Sequence, residues 1–302
     1  MSKYTLILLA AIITSIGCKE KDPTEEAKSN VQFQVAFDTQ QPRLNNIGQP
    51  ATIPAGNAAQ TPVFQSMSIH YIELSPTALT PLGKGAVVYL GTETTKGGEN
   101  AVDFDKAAVV VTNQTFAKGT LPPGTYEWIR TSVTYQNYGI DFDLHTPTFG
   151  VSANTKGTVA SFLGFNTYIS TVIPSAQTLT VNSNKKQGFW AFEVDAPPSF
   201  PVSLPVFSGD APEGATTVVN PLFATSPVPQ GSCIVTGKLA KPLVVTGQET
   251  APITITLSYS VNNSFEWKDN NGNGRLDIFS DPSIPTEKIV DMGLRGLVAD
   301  YK

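Results

Sequence analysis

The chain has 302 residues, a charged fraction of 15% and a formal net charge of −5. Soluble domains typically carry about 25% charged residues, and with no basic block present nucleic acid is excluded as a partner. The length allows one large domain or two smaller ones, and 24 Gly with 23 Pro point to a turn-rich, extracytoplasmic β protein.

Residues 1–22 open with Met1-Ser2-Lys3, continue through an apolar run at Leu6–Ile13, and end in Ser15-Ile16-Gly17-Cys18-Lys19-Glu20-Lys21-Asp22. A short positive start, an apolar centre and a small residue at the cut make a secretory signal. The run is too short for the roughly 20 residues that span a bilayer. The cysteine directly after Gly17 makes the segment resemble a bacterial lipoprotein signal. That resemblance implies cleavage after residue 17, acylation of Cys18 and a membrane held through the N-terminal lipid. The place implied is the cell envelope, at the outer membrane, on its periplasmic or surface face. Two or more acyl chains anchor a protein stably. Residues 18–30 are charged and nearly free of apolar side chains, so they read as a flexible tether.

The body then begins. Val31–Asp38 alternates, with Val31, Phe33, Val35 and Phe37 on one face, as a half-buried strand does. Residues 40–65 read as a long loop, Ser66–Leu74 and Ala86–Leu90 as strands, and Ala107–Thr112 as a short central strand. Leu121-Pro122-Pro123-Gly124 is a turn before a long strand at Thr125–Tyr135. Gln177–Val181 and Gly188–Val194 read as strands joined across the polar turn Asn182-Ser183-Asn184. Residues 196–231 hold eight prolines and read as a domain linker or a long crossover. Cys233–Leu239, Leu243–Thr246 and Ile253–Val261 follow as strands, the last with a clean period of two. No long amphipathic helix is evident. About ten strands without a βαβ rhythm predict an all-β fold, an antiparallel β-sandwich of Ig-like or jelly-roll-like character over 31–302, possible division falling at 196–231.

Asp269-Asn270-Asn271-Gly272-Asn273-Gly274-Arg275-Leu276-Asp277 has the spacing Asp-x-Asn-x-Asn-Gly-x-x-Asp. Calcium takes six to eight oxygens, and alternate side chains on a tight loop supply them. The candidate ligands are Asp269, Asn271, Asn273, the Arg275 carbonyl and Asp277, with Asp281 one place beyond the position where EF-hands carry Glu. The stretch resembles the calcium loops of EF-hands and related extracellular repeats, which implies a structural Ca2+ held weakly. The competing reading is a bare hairpin tip between strands at Phe265–Trp267 and Leu276–Phe279.

Asp141, Asp143 and His145 share one face of a strand and form a second, weaker metal candidate. His70 reads as a hydrogen-bonded structural residue. Cys233 reads as a small buried thiol, without the His and orienting partner a nucleophile needs. No Gly-x-Ser-x-Gly, phosphate-cradling loop or His-Glu-x-x-His is present. Acidic pairs such as Asp103/Asp105 keep a glycosidase conceivable. The expectation is therefore a non-enzymatic binding or structural role toward a protein or glycan ligand, the alternative being a carbohydrate-acting or metal-handling envelope enzyme.

Two resemblances add to this. Val235-Thr236-Gly237, Asn263-Ser264-Phe265-Glu266-Trp267, the 269–277 loop and Val290-Asp291-Met292-Gly293-Leu294-Arg295-Gly296-Leu297 resemble the C-terminal part of a recurrent class of bacterial envelope lipoproteins. The initial strand, the long loop, Ser68-Ile69-His70-Tyr71-Ile72 and Pro123-Gly124-Thr125-Tyr126 before Arg130 are similar in layout to MbnP-like periplasmic proteins. That family is linked to copper, but the chain offers few soft ligands.

Overall fold

The computed structural model describes residues 27–45, 47–96, 101–107, 109–164, 166–195, 204–211, 233–281 and 283–302. The signal, Cys18, most of the 18–30 tether and most of 196–231 lie outside the described residues. The fold is all-β, and among the described residues helix is limited to short 3-10 turns such as Phe104–Lys106.

In chain order the strands are β1 (Ser29–Asp38), β2 (Asn57–Gln60), β3 (Val63–Ser75), β4 (Ala86–Leu90), β5 (Glu93–Thr94), β6 (Ala101–Asp103), β7 (Val109–Val110), β8 (Thr115–Leu121), β9 (Gly124–Thr146) and β10 (Gly150–Phe162). They continue with β11 (Asn166–Val172), β12 (Leu179–Lys186), β13 (Phe189–Val194), β14 (Phe207–Asp210), β15 (Cys233–Val245), β16 (Ile253–Ser260), β17 (Phe265–Lys268), β18 (Asp277–Phe279), β19 (Ile289–Met292) and β20 (Leu297–Tyr301).

The spine is β9. Its 23 residues extend about 75 Å at ~3.3 Å per residue. Residues such as Tyr126, Trp128, Ile129, Val133, Tyr135 and Tyr138 suit a pleated surface packed on both faces. Along one edge β9 pairs first with β15 and then with β10, and along the other with β3 and then β18. The large sheet continues from β15 through β20, β16 and β1 to β8. There it meets β4: the Phe116 ring stands edge-on to Tyr89 at 6.2 Å. A Cβ on Gly119 would lie 2.4 Å from the Val88 carbonyl oxygen, so only glycine allows this approach. The sheet thus folds back on itself as a sandwich around the main core, which includes Val31, Phe33, Val35, Ile69, Ile129, Val133, Ile255 and Leu257. A four-stranded sheet, β12-β11-β6-β5, and a three-stranded sheet, β19-β17-β2, lie outside it.

Most pairs are antiparallel, but β1–β16, β15–β20, β9–β18 and β6–β11 are parallel. The alternation read in β1 and β16 is real, with Phe33 and Ile255, and Val35 and Leu257, as register partners buried in the same core.

Several expected elements differ. The Ala107–Thr112 run is no central strand; only Val109–Val110 pairs, on Met67 and Ser68. Asn182 does not turn the chain, because β12 runs through it to Lys186, aided by positive φ at that asparagine. β12 and β13 then join different sheets. The two strands expected at Cys233–Leu239 and Leu243–Thr246 are one strand with a bulge between Lys238 and Leu243. The long loop at 40–65 contains β2, and within the Pro-rich stretch Phe207–Asp210 forms β14 on the edge of β13.

Candidate functional site

The 269–277 loop joins strands of two different sheets. β17 lies between β19 and β2, with Phe265 beside Met292 and Trp267 beside Ala58. β18 runs parallel to the end of β9, with Asp277 beside Asp143 and Phe279 beside His145. β17 and β18 do not pair with each other, which overturns the hairpin-tip reading. The loop instead fastens the three-stranded sheet to the large one. Trp267 and Leu276 are buried on either side of it in a core shared with Tyr138, Ile140, Phe142 and Leu144. The buried Trp267 indole donates to the Arg275 carbonyl at 3.1 Å.

The loop is wound by its own side chains. Asp269 Oδ1 accepts the amides of Gly272 and Asn273 at 2.8 and 3.2 Å, and Oδ2 accepts that of Gly274 at 2.8 Å. Asn271 Oδ1 takes the Asn273 amide at 2.9 Å, and Asn273 Oδ1 takes the Arg275 amide at 2.7 Å. These Asx turns draw the oxygens at positions 1, 3 and 5 toward the loop interior. Gly272 and Gly274 sit at φ +74° and +73°, a region that carries side chains badly.

Asp277, only 2% exposed, closes the ring. Its Oδ2 accepts from Asn271 Nδ2 at 2.8 Å and Asn273 Nδ2 at 2.9 Å, and its Oδ1 lies 2.6 Å from His145 Nε2. A carboxylate buried at this depth demands positive partners, and here it holds only amide dipoles and one imidazole. Beneath the loop lies Glu287, which the sequence did not single out. It is 4% exposed and accepts the Asn270 amide at 2.7 Å through Oε1 and the Asp277 amide at 3.0 Å through Oε2. One buried carboxylate thus ties the second and ninth loop residues together through their backbone amides. Its signal was hidden: Glu287 stands ten residues past Asp277, with no fixed spacing to announce it.

The remaining candidates are placed as follows. Asp281 caps Ser283, accepting its amide at 2.9 Å and its hydroxyl at 2.7 Å. Asp141, Asp143 and His145 do share a face, with Phe142 and Leu144 buried behind them. The structure gives each a separate partner. Asp141 meets Lys156 at 2.8 Å, Asp143 meets the Arg275 guanidinium twice at 2.5 Å, and His145 meets Asp277 while stacking on Phe279. Arg275 holds the Asp143 carboxyl below the usual carboxylate range. Arg275 also reaches Asn154 at 3.0 Å, so the loop grips the β9–β10 hairpin as well. Among the described residues, no three His, Cys, Asp or Glu side chains converge on one point. A cation at the loop would depend on amide and carbonyl oxygens beside the carboxylates.

Elsewhere, Asp103 is buried beside Lys106 at 3.3 Å, while Asp105 accepts the Ser170 hydroxyl at 2.6 Å; the two carboxylates serve different neighbours. Burial pushes the Cys233 thiol up to about 12, away from the thiolate that a nucleophile requires. His70 is buried against Glu93. Compared with family models, with curated proteins and with solved structures, the chain matches none, so its function is read from its own residues.

Proposed function

We propose that this chain is a lipid-anchored, non-enzymatic protein of the bacterial envelope, tethered through Cys18, whose β-sandwich presents a binding or structural surface to a protein or glycan, and that its 269–277 loop takes up calcium as a structural ion. The signal-like start and the two stated resemblances support the anchor and the compartment. The carrying observation for calcium is the loop itself: Asx turns at Asp269, Asn271 and Asn273 wind it around the buried Asp277. The residues that fit are Asp269, Asn271, Asn273, Asp277 and the Arg275 carbonyl, which keeps a second lone pair beside its bond to Trp267. Asp281 is engaged elsewhere. Calcium, when bound, would supply the positive charge that the amide donors around Asp269 and Asp277 lack, and would hold the three-stranded sheet to the large one rather than act on a substrate.

Thermal melting of the mature chain with and without calcium tests this. With a Kd near 0.3 mM, typical of extracellular modules, 5 mM calcium adds about 1.7 kcal/mol, or roughly 3–5 °C in a domain of this size. Asp269→Ala should abolish the shift. An unchanged Tm in 5 mM calcium would remove the ion from the account. Mass spectrometry of the protein from membranes tests the anchor: an acylated N-terminal Cys18 is expected, and an intact unlipidated Met1 overturns it.

A further inference from the structure

His70 joins two sheets from the inside. It stands on β3 with its side chain 3% exposed, and its Nε2 lies 3.1 Å from Glu93 Oε1 on β5, the edge of the four-stranded sheet. An ionised carboxylate only accepts, so Nε2 carries the proton of the neutral ring. Nδ1 then presents a lone pair into a narrow space lined by Ser68, Tyr89, Gly91, Thr92, Val102 and Thr134, with no hydrogen-bond partner. Gly91 seals it: a Cβ there would sit 3.0 Å from Nδ1, and the Gly91 amide donates to the His70 carbonyl at 2.6 Å. The segment beyond is hung from the same point, since Asp103 donates its amide to the Thr92 carbonyl at 3.0 Å and Val102 pairs with Glu93.

We propose that His70 is an acid-released latch that holds the β5–β6 edge of the four-stranded sheet against the large sheet. Protonation places a second N–H where no acceptor lies within hydrogen-bond distance of Nδ1, the Ser68 hydroxyl included, in a space with no room for a water. Burial lowers the proton affinity of His70, and Glu93, which pulls the other way, does not compensate. The titratable groups facing the ring are Glu93 from β5 and Tyr89 from β4. β9 contributes the neutral Thr134, and Asp103 and Lys106 near the cavity wall are paired with each other. The sign follows. A histidine whose affinity is lower closed than open leaves the closed form fully stable above the ordinary value of about 6.5. The closed form then weakens as pH falls from there toward the lowered value. One proton is taken up on opening, so the open population rises by at most about tenfold per pH unit.

The latch lies outside the calcium loop and needs neither the ion nor the lipid, so it stands or falls separately. The test uses the mature chain. With two histidines in the sequence, a proton NMR titration resolves His70 from His145. The His70 midpoint should fall below ~6.5. Hydrogen exchange at the Gly91 and Asp103 amides, corrected for intrinsic rate, should speed up several-fold between pH 7 and 5. His70→Gln, which retains a donor toward Glu93, should make that exchange independent of pH. A midpoint at or above ~6.5, constant protection, or the same pH response in His70→Gln would overturn the latch. Should His70→Gln not fold, Glu93→Gln serves instead: loss of the carboxylate must move the His70 midpoint further down, and an unmoved midpoint sinks the proposal.

Discussion

Replacing Glu287 by Gln tests the bracing of the 269–277 loop without altering its shape. Glu287 accepts two backbone amides, at 2.7 and 3.0 Å, from the second and ninth loop residues, while buried. Hydrogen bonds to a charged group contribute about 1.5–3 kcal/mol each. Glutamine keeps one acceptor, loses the other, and turns an NH2 group toward an amide that also donates. The expected loss is about 2–3 kcal/mol, seen as a lower urea midpoint with unchanged slope, or roughly 5–10 °C in Tm. It should appear in calcium-free buffer, because the two hydrogen bonds are made by the protein alone. A change below ~0.5 kcal/mol, the ordinary range for surface substitutions, would show that Glu287 does not hold the loop.

Two further outcomes are expected. Arg130 and Glu73 are a wholly buried pair at 3.3 Å, and Glu73 also accepts the Gly85 amide at 2.6 Å and the Tyr71 hydroxyl at 2.9 Å. Arg130→Met strands that carboxylate and should cost about 3–5 kcal/mol in denaturant unfolding, whereas a near-neutral result would mean that water reaches Glu73. Cys233, partly buried against the main core and with its thiol pushed up to about 12, should resist a thiol-specific reagent at pH 8 in the native state and react promptly in denaturant; equal rates would refute the suppression of its thiolate.

The sequence revealed what depends on local chemistry. A period of two exposed β1 and β16, and the side-chain spacing of Asp269, Asn271, Asn273 and Asp277 announced a wound loop, because Asx turns form between near neighbours. Partner choice was hidden, because it is decided by residues far along the chain. Asp141, Asp143 and His145 were correctly placed on one face, yet Lys156, Arg275 and Asp277 claim them one by one. β12 and β13 adjoin in sequence but enter different sheets, a matter of register against β11 and β10 that alternation cannot express. Glu287 escaped for the same reason, being brought to the loop by the path of 283–292 rather than by any motif.

The position of β1 has a mechanical consequence. It enters the body at Ser29, paired with the antiparallel β8 over Ser29–Gln34 on one side and with the parallel β16 over Val31–Asp38 on the other. A tug on the polypeptide ahead of residue 29, directed along the strand, loads both hydrogen-bonded ladders at once in shear. They cannot be unzipped rung by rung, and Val31, Phe33 and Val35 would have to slide out of the main core together. Such an arrangement makes the leading end of the body a mechanically resistant point, as the proposed N-terminal anchor would require.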